Sequence, residues 1–205
     1  MGWRMTEEEY DRLIKKRSTG GGRSVSKNKV ASYMLVEYAE LAINDGILYC
    51  PCSPMLVTLK LGVKSLRKND GKPKPYERIE QAIALLWLER VHPIAFDMTT
   101  ATPMGGYRPD GAGGQLKGDG VKRGFPDLLM DFPSDGYHGL RIEMKKYDRS
   151  ANPSDNQVDW LTRLAKHGYR AVVCRGHQAA IQVISDYLKI ESTAIDLPSW
   201  AIQYY

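Results

Sequence analysis

A chain of 205 residues with 42% apolar content is long enough to bury one sizeable core and a small accessory unit. It contains no run of about eighteen apolar residues, and Met1 to Arg17 is charged without the apolar stretch of a signal peptide, so neither export nor membrane insertion is expected and a cytoplasmic setting is. The net charge of +5 is uneven: residues 1–75 hold fourteen Lys or Arg against eight Asp or Glu, and residues 76–205 hold fifteen against sixteen, which makes the first part the stronger attraction for a polyanion.

In chain order, Thr6-Glu7-Glu8-Glu9 opens like a capped helix running to about Arg17, and Ser18 to Lys29, with Gly20, Gly21 and Gly22, reads as a linker. Ala31, Met34, Leu35, Tyr38, Leu41 and Ala42 then recur at helical spacing and predict a helix ending near Asp45-Gly46, its stripe serving either core packing or a dimer contact. Leu56 to Val63 is compatible with a strand, and Lys64 to Pro75, carrying Lys68, Lys72 and Lys74, reads as a basic connector. Cys50, Cys52 and Cys174 are an odd set expected to stay reduced, and Cys50-Pro51-Cys52 has no partner pair that would make it a zinc site. Residues 1–75 are thus expected to be a basic, mainly helical extension.

A new unit is expected over residues 76–190. Tyr76 to about Arg90 predicts a helix whose stripe of Ile79, Ala82, Ile83 and Leu86 packs on a sheet, followed by a strand from His92 to Met98. The stretch from Gly105 to Gly124 is glycine-rich and carries Arg108, Lys117, Lys122 and Arg123. It lacks the phosphate-loop spacing for a nucleoside triphosphate, and reads either as a loop closing over DNA or as a connector. Beyond two further strands come a helix over 154–166, a strand over 170–175, a helix over 177–188, and a tail over 191–205. The elements run αβββαβα, an α/β succession. Trp200, Tyr204 and Tyr205 are expected to tuck over the core or a neighbouring subunit, with base stacking as the alternative. His92, His138, His167 and His177 show no telling spacing and none is assigned to catalysis.

The chemistry concentrates between Pro126 and Lys145. Alternation along Gly139 to Lys145 puts Arg141, Glu143 and Lys145 on one face and Leu140, Ile142 and Met144 on the other, with Glu143 and Lys145 roughly 7 Å apart. The apolar run Phe125 to Phe132, the turn signal Pro133-Ser134-Asp135-Gly136 and the second run form a hairpin. If the turn centres near Gly136, Asp127 opposes Lys145 and Leu129 opposes Glu143, so Asp127, Glu143 and Lys145 converge on one face. Two carboxylates held a few ångströms apart repel each other unless a cation lies between them, and an all-oxygen set favours Mg²⁺ or Mn²⁺ over zinc. Such a centre suits phosphodiester hydrolysis, with Lys145 orienting water or neutralising charge in the transition state. The competing reading is a surface hairpin with solvated charges.

Gly120-Val121-Lys122-Arg123-Gly124-Phe125-Pro126-Asp127-Leu128-Leu129, then His138 to Lys145, then Ser154-Asp155-Asn156-Gln157-Val158-Asp159-Trp160-Leu161, resembles the virus-type replication-repair nuclease (VRR-NUC) family, a branch of the PD-(D/E)xK nucleases. Glu77-Arg78-Ile79-Glu80-Gln81 is similar to the family's opening E-x-x-x-Q helix, and Arg175-Gly176 with Ala179 and Ala180 to its closing strand and helix. The resemblance spans about residues 76–190 and implies a restriction-endonuclease-like core, a mixed sheet flanked by helices, which the order αβββαβα matches. It implies metal ligation by Asp127 and Glu143, the Met144 carbonyl as a further ligand, Lys145 as the catalytic lysine, and Glu77 as the helix-borne acid, with Glu80 competing for that last role. Gln157 leans towards the cluster or is helix-edge polarity. Met104 stands where many phage members have asparagine, which puts that loop contact in doubt. The reading is a divalent-metal-dependent DNA endonuclease of phage replication, recombination or repair, binding DNA through Arg108, Lys117, Lys122, Arg123, Lys68, Lys72 and Lys74. Kinship alone implies branched DNA such as a Holliday junction or flap, and a homodimer. The rival is a non-catalytic DNA-binding or host-interacting phage protein that keeps the fold.

Overall fold

The computed structural model describes residues 27–68, 74, 76–102, 118–147, 151–191 and 196–205. The helix expected over 6–17 lies outside the described residues, as do Arg108, Lys117, Lys72 and Met104. Three helices come first: α1 (Lys27–Tyr49), α2 (Pro54–Arg67) and α3 (Tyr76–Val91). After them follow α4 (Pro93–Asp97), β1 (Thr99–Ala101), β2 (Leu128–Met130), β3 (Leu140–Lys145), α5 (Asp155–Lys166), β4 (Arg170–Arg175), α6 (His177–Leu188) and β5 (Ile202–Tyr204). The strands lie in the order β1-β2-β3-β4-β5, antiparallel except for the parallel β3–β4 pair. That parallel pair needs a crossover, and α5 provides it.

Both faces of the sheet are covered. Leu140, Ile142 and Met144 of β3 and Val172 and Cys174 of β4 pack against Ala84 and Leu88 of α3 and Ala179, Ala180, Val183, Ile184 and Tyr187 of α6. On the other face Leu161 of α5 covers Ala171 and Val173. A sheet buried on both sides explains why all six residues of β3 are buried, including Arg141, Glu143 and Lys145.

Several local expectations are corrected. The segment 56–63 is helical: Ser53 accepts a hydrogen bond from the Met55 N–H, Pro54 opens the helix, and Leu56, Leu59, Val63 and Leu66 line its buried side at helical spacing. A short apolar run does not by itself tell strand from helix. Lys64 to Arg67 therefore belongs to α2 and not to a connector. Residues 93–97 form a helical turn in place of a strand, because the His92 ring nitrogen accepts from the Ala95 N–H and Pro93 presets the first helical φ. The strand starts only at Thr99. Lys27 to Lys29, read as linker, begin α1, and that helix continues past Gly46 to Tyr49.

The stripe on α3 is buried, but against different neighbours from those expected. Ile79, Ala82, Ile83 and Leu86 meet Leu35, Tyr38, Ala39 and Ala42 of α1 and Leu56, Leu59, Val63 and Leu66 of α2, while Ala84 and Leu88 face the sheet. Helix α3 is apolar on two sides because it is the wall shared by both cores. The last strand, β5, pairs with β4 at Val172–Tyr204 and Cys174–Ile202, so the end of the chain extends the sheet. No helix among the described residues is long and apolar enough to cross a membrane.

The β2–β3 hairpin is tied to α6 by one side chain. The Tyr187 hydroxyl donates to the Phe132 carbonyl at 2.7 Å and accepts from the Ser134 N–H at 3.1 Å, and the Ser134 hydroxyl donates to the Tyr187 carbonyl. Tyr187→Phe leaves the half-buried Phe132 carbonyl and Ser134 N–H without this partner and is predicted to cost about 1 kcal/mol. Urea denaturation checks this, and unchanged stability would show that the hairpin does not need the anchor.

Candidate active site at the open end of the hairpin

The hairpin turn is tight: Asp135 and Gly136 both have positive φ, 52° and 81°, between bridged Ser134 and Tyr137. The three residues Asp131 to Pro133 then oppose the two residues His138 and Gly139, and the ladder runs Met130–Leu140, Leu129–Arg141 and Leu128–Ile142. Continued by one residue, it sets Asp127 opposite Glu143. The register expected from the sequence, with Asp127 opposite Lys145 and Leu129 opposite Glu143, is off by two residues. A slip of two leaves every side chain on its own face, so the convergence survives where a slip of one would have destroyed it.

Asp127 is held from both sides. Its carbonyl accepts from the Thr102 N–H at 2.8 Å, and the Thr102 hydroxyl donates to the Pro126 carbonyl at 2.9 Å. Its carboxylate accepts from the Met144 N–H at 2.8 Å. Just before it, Gly124 adopts φ +81° and lies so close to Asn156 that an added Cβ would stand 2.7 Å from the Asn156 Cβ. Phe125 meets the edge of Trp160 with ring centroids 4.9 Å apart. The Pro126-Asp127 segment is thus clamped onto the start of α5.

Glu143 is 1% exposed. One of its oxygens, Oε1, accepts from the Lys145 ammonium at 2.6 Å and from the Gln157 amide at 2.5 Å. Oε2 is buried and has no hydrogen-bond partner. Burial pushes the Glu143 carboxyl up to about 8, the neighbouring Asp127 charge pushes the same way, and Lys145 opposes both without cancelling them. Gln157 is doubly used: its carbonyl oxygen accepts from the Ser154 N–H at 2.8 Å, closing the first turn of α5, while its amide faces Glu143. Gln157 therefore leans inward.

The remaining expected residues are distributed around this centre. The Met144 side chain points into the core and its backbone runs between the two acids. Glu77 sits half-buried in the first turn of α3, beside Tyr76, whose ring lies 5.4 Å from the Lys146 ammonium at the end of β3. Glu80, one turn on, is buried and bound to His177. Among the described residues no group of three His, Cys, Asp or Glu side chains converges closely enough to hold a metal, so Asp127 and Glu143 meet without a third acid beside them. Lys122 and Arg123 are exposed next to the clamp, and Lys68 is exposed at the end of α2. Lys74 folds back onto α2, its ammonium donating to the Ser65 carbonyl at 3.0 Å and to that of Lys68. Sequence reasoning missed Thr102 and the pairing of Glu80 with His177, and no spacing pattern signals either contact.

The donors fit a hard divalent cation. Two carboxylates in contact, one with a buried oxygen lacking any proton donor, form an oxygen-only set, and Mg²⁺ is commonly held by one or two carboxylates together with water and substrate phosphate. Mixed sheet and acid–acid–lysine centre together define a nuclease domain of the PD-(D/E)xK type. The VRR-NUC domain model matches residues 109–178. A solved structure described as a VRR_NUC domain protein is similar at 33% identity over 59% of this chain and 94% of that one, with a TM-score of 0.50. The chain belongs to the VRR-NUC family. No curated protein matches it.

The sign of the Glu143 shift sets a stability test. A carboxyl raised from its ordinary 4.5 to about 8 favours folding while protonated, so its contribution is complete below about pH 4.5 and is lost as pH rises through 8. In chelator, the melting temperature should fall more steeply between about pH 5 and 8 for wild type than for Glu143→Gln. Equal slopes would show that Glu143 is not the group responsible.

Proposed function

We propose that the chain is a Mg²⁺- or Mn²⁺-dependent endodeoxyribonuclease that hydrolyses phosphodiester bonds, with branched or junction DNA as substrate. The observation that carries this reading is the buried contact of Asp127 and Glu143, one of whose oxygens lacks a donor, beside an ammonium at 2.6 Å. An apolar pair would serve stability better, since two like charges in contact and a buried oxygen without a donor are costly.

The residues divide the work. Asp127 and Glu143 would hold the ion, with the Met144 carbonyl and Glu77 as candidate further ligands. When bound, a hard divalent ion polarises the scissile phosphate and acidifies a ligated water. Lys145 neutralises negative charge gathering on the phosphate oxygens or orients the attacking water. Gln157 keeps the Glu143 carboxylate in one orientation, and Thr102 fixes the backbone that presents Asp127. Exposed Lys122 and Arg123 supply phosphate attraction beside the centre, with Arg108 and Lys117 in the same glycine-rich stretch. Lys68 and Lys72 extend the basic character towards the N-terminal part. The branched substrate, the homodimer with one centre per strand, and a role in phage replication, recombination or repair are supported by the family resemblance.

The test incubates purified protein with four-way junction, flap, duplex and single-stranded DNA, with and without Mn²⁺. Cleavage that needs the ion, prefers the branched forms and falls at least about a hundredfold in Asp127→Ala and Lys145→Ala with binding retained is the expected result. Binding without cleavage by wild type would instead establish a non-catalytic DNA-binding protein. Replacing Lys122 and Arg123 together by Gln should lower the slope of log affinity against log salt by up to about 2, since each phosphate contact contributes about 0.9. An unchanged slope would remove both from the interface.

A further inference from the structure

Helix α6 begins with a glycine that has no side chain to cap it. Gly176 adopts φ +85°, and an added Cβ would press on Tyr147 at 3.2 Å, so no larger residue fits without strain. The first helical N–H, that of His177, is satisfied from another helix: it donates to Glu80 Oε2 of α3 at 2.8 Å. The same oxygen meets the His177 ring Nδ1 at 2.5 Å. Glu80 and His177 lie 97 residues apart and are 5% and 7% exposed. Tyr38 of α1 closes the pair off, its ring edge-on to the imidazole at 4.7 Å and its hydroxyl accepting from the Gln178 amide at 3.1 Å.

This anchor is one residue from the catalytic lysine's backbone. The Gly176 N–H donates to the Lys145 carbonyl at 2.9 Å, and Arg175 pairs with Lys145 across the parallel ladder. A hydrogen-bonded path thus runs from Glu80 through the His177 and Gly176 amides to Lys145, whose ammonium touches Glu143. Beyond the last rung of the parallel ladder, the Gly176 N–H and then the Glu80 cap on the His177 N–H continue the bonding.

We propose that Glu80 is a positioning residue for the proposed cleavage reaction: paired with His177, it caps α6 across the fold and so holds the Lys145 backbone, and with it the ammonium, against Glu143. It acts through His177 and Gly176 and is not a metal ligand. The proposal rests on the nuclease reading, and its test has an arm independent of that reading.

Glu80→Gln keeps an oxygen acceptor of the same shape but removes the charge, and Glu80→Ala removes the acceptor. Cleavage kinetics should show kcat falling about threefold in the first and at least about twentyfold in the second, with KM, metal-free DNA affinity and the Mn²⁺ concentration for half-maximal activity unchanged. A shifted Mn²⁺ requirement would make Glu80 a ligand, a loss residing in affinity would make it a binding residue, and equal kcat in all three proteins would leave it no role. Each of these results overturns the proposal. The independent arm is amide exchange: the Gly176 N–H should exchange at least tenfold faster in Glu80→Ala and measurably faster in Glu80→Gln, while Val172 and Val173 keep their protection. That arm holds even if wild type cuts no DNA. If Glu80→Ala does not fold, Glu80→Gln decides alone, and unchanged kcat with unchanged Gly176 exchange overturns the idea.

Discussion

Two carboxylates, Asp127 and Glu143, are pressed together inside a sheet that is covered on both faces, and the rest of the molecule is arranged so that this repulsive contact can exist. The stabilising partners come from two elements: an ammonium and the Met144 backbone N–H from β3 itself, and an amide from α5. None of them reaches Glu143 Oε2. A fold selected for stability alone would have filled that position with an apolar side chain, because removing ion pairs from protein interiors is often neutral or stabilising. Such a contact is what the proposed metal site would require.

The scaffold limits how far this centre can relax. The hairpin is tied down at its turn by Tyr187, at its open end by Thr102, and over the Pro126-Asp127 segment by the close approach of Gly124 to Asn156. Strand β3 carries Glu143 and the residue just before β2 is Asp127, while the basic Lys122 and Arg123 sit on an exposed loop beside them. Preorganised groups in a low-dielectric setting need little rearrangement when charge develops on a substrate.

The N-terminal helices are not an independent appendage. Helix α3 is the common wall of two cores, with Ile79, Ile83 and Leu86 facing α1 and α2 and Ala84 and Leu88 facing the sheet. Through Tyr38 the layer also reaches the start of α6. Basic residues in this part are unequal in availability: Lys68 is exposed, whereas the Lys74 ammonium is engaged with carbonyls at the end of α2.

By itself, the sequence determined the alternating faces of β3, the hairpin, the convergence of Asp127, Glu143 and Lys145, and the family, because period-two alternation and short motif spacings are local properties that need no knowledge of distant neighbours. Local patterning also set α5, β4 and α6 close to their observed limits. It left the short apolar stretches over 56–63 and 92–98 open to either period, and the capping by Ser53 and His92 resolved them as helical. Only the tertiary structure decided the two-residue shift in register, which side of α3 meets the sheet, the pairing of β5 with β4, and the union of Glu80 with His177. These depend on contacts between residues far apart in the chain, and such contacts form only when separate elements bury their surfaces against one another, so no local spacing records them.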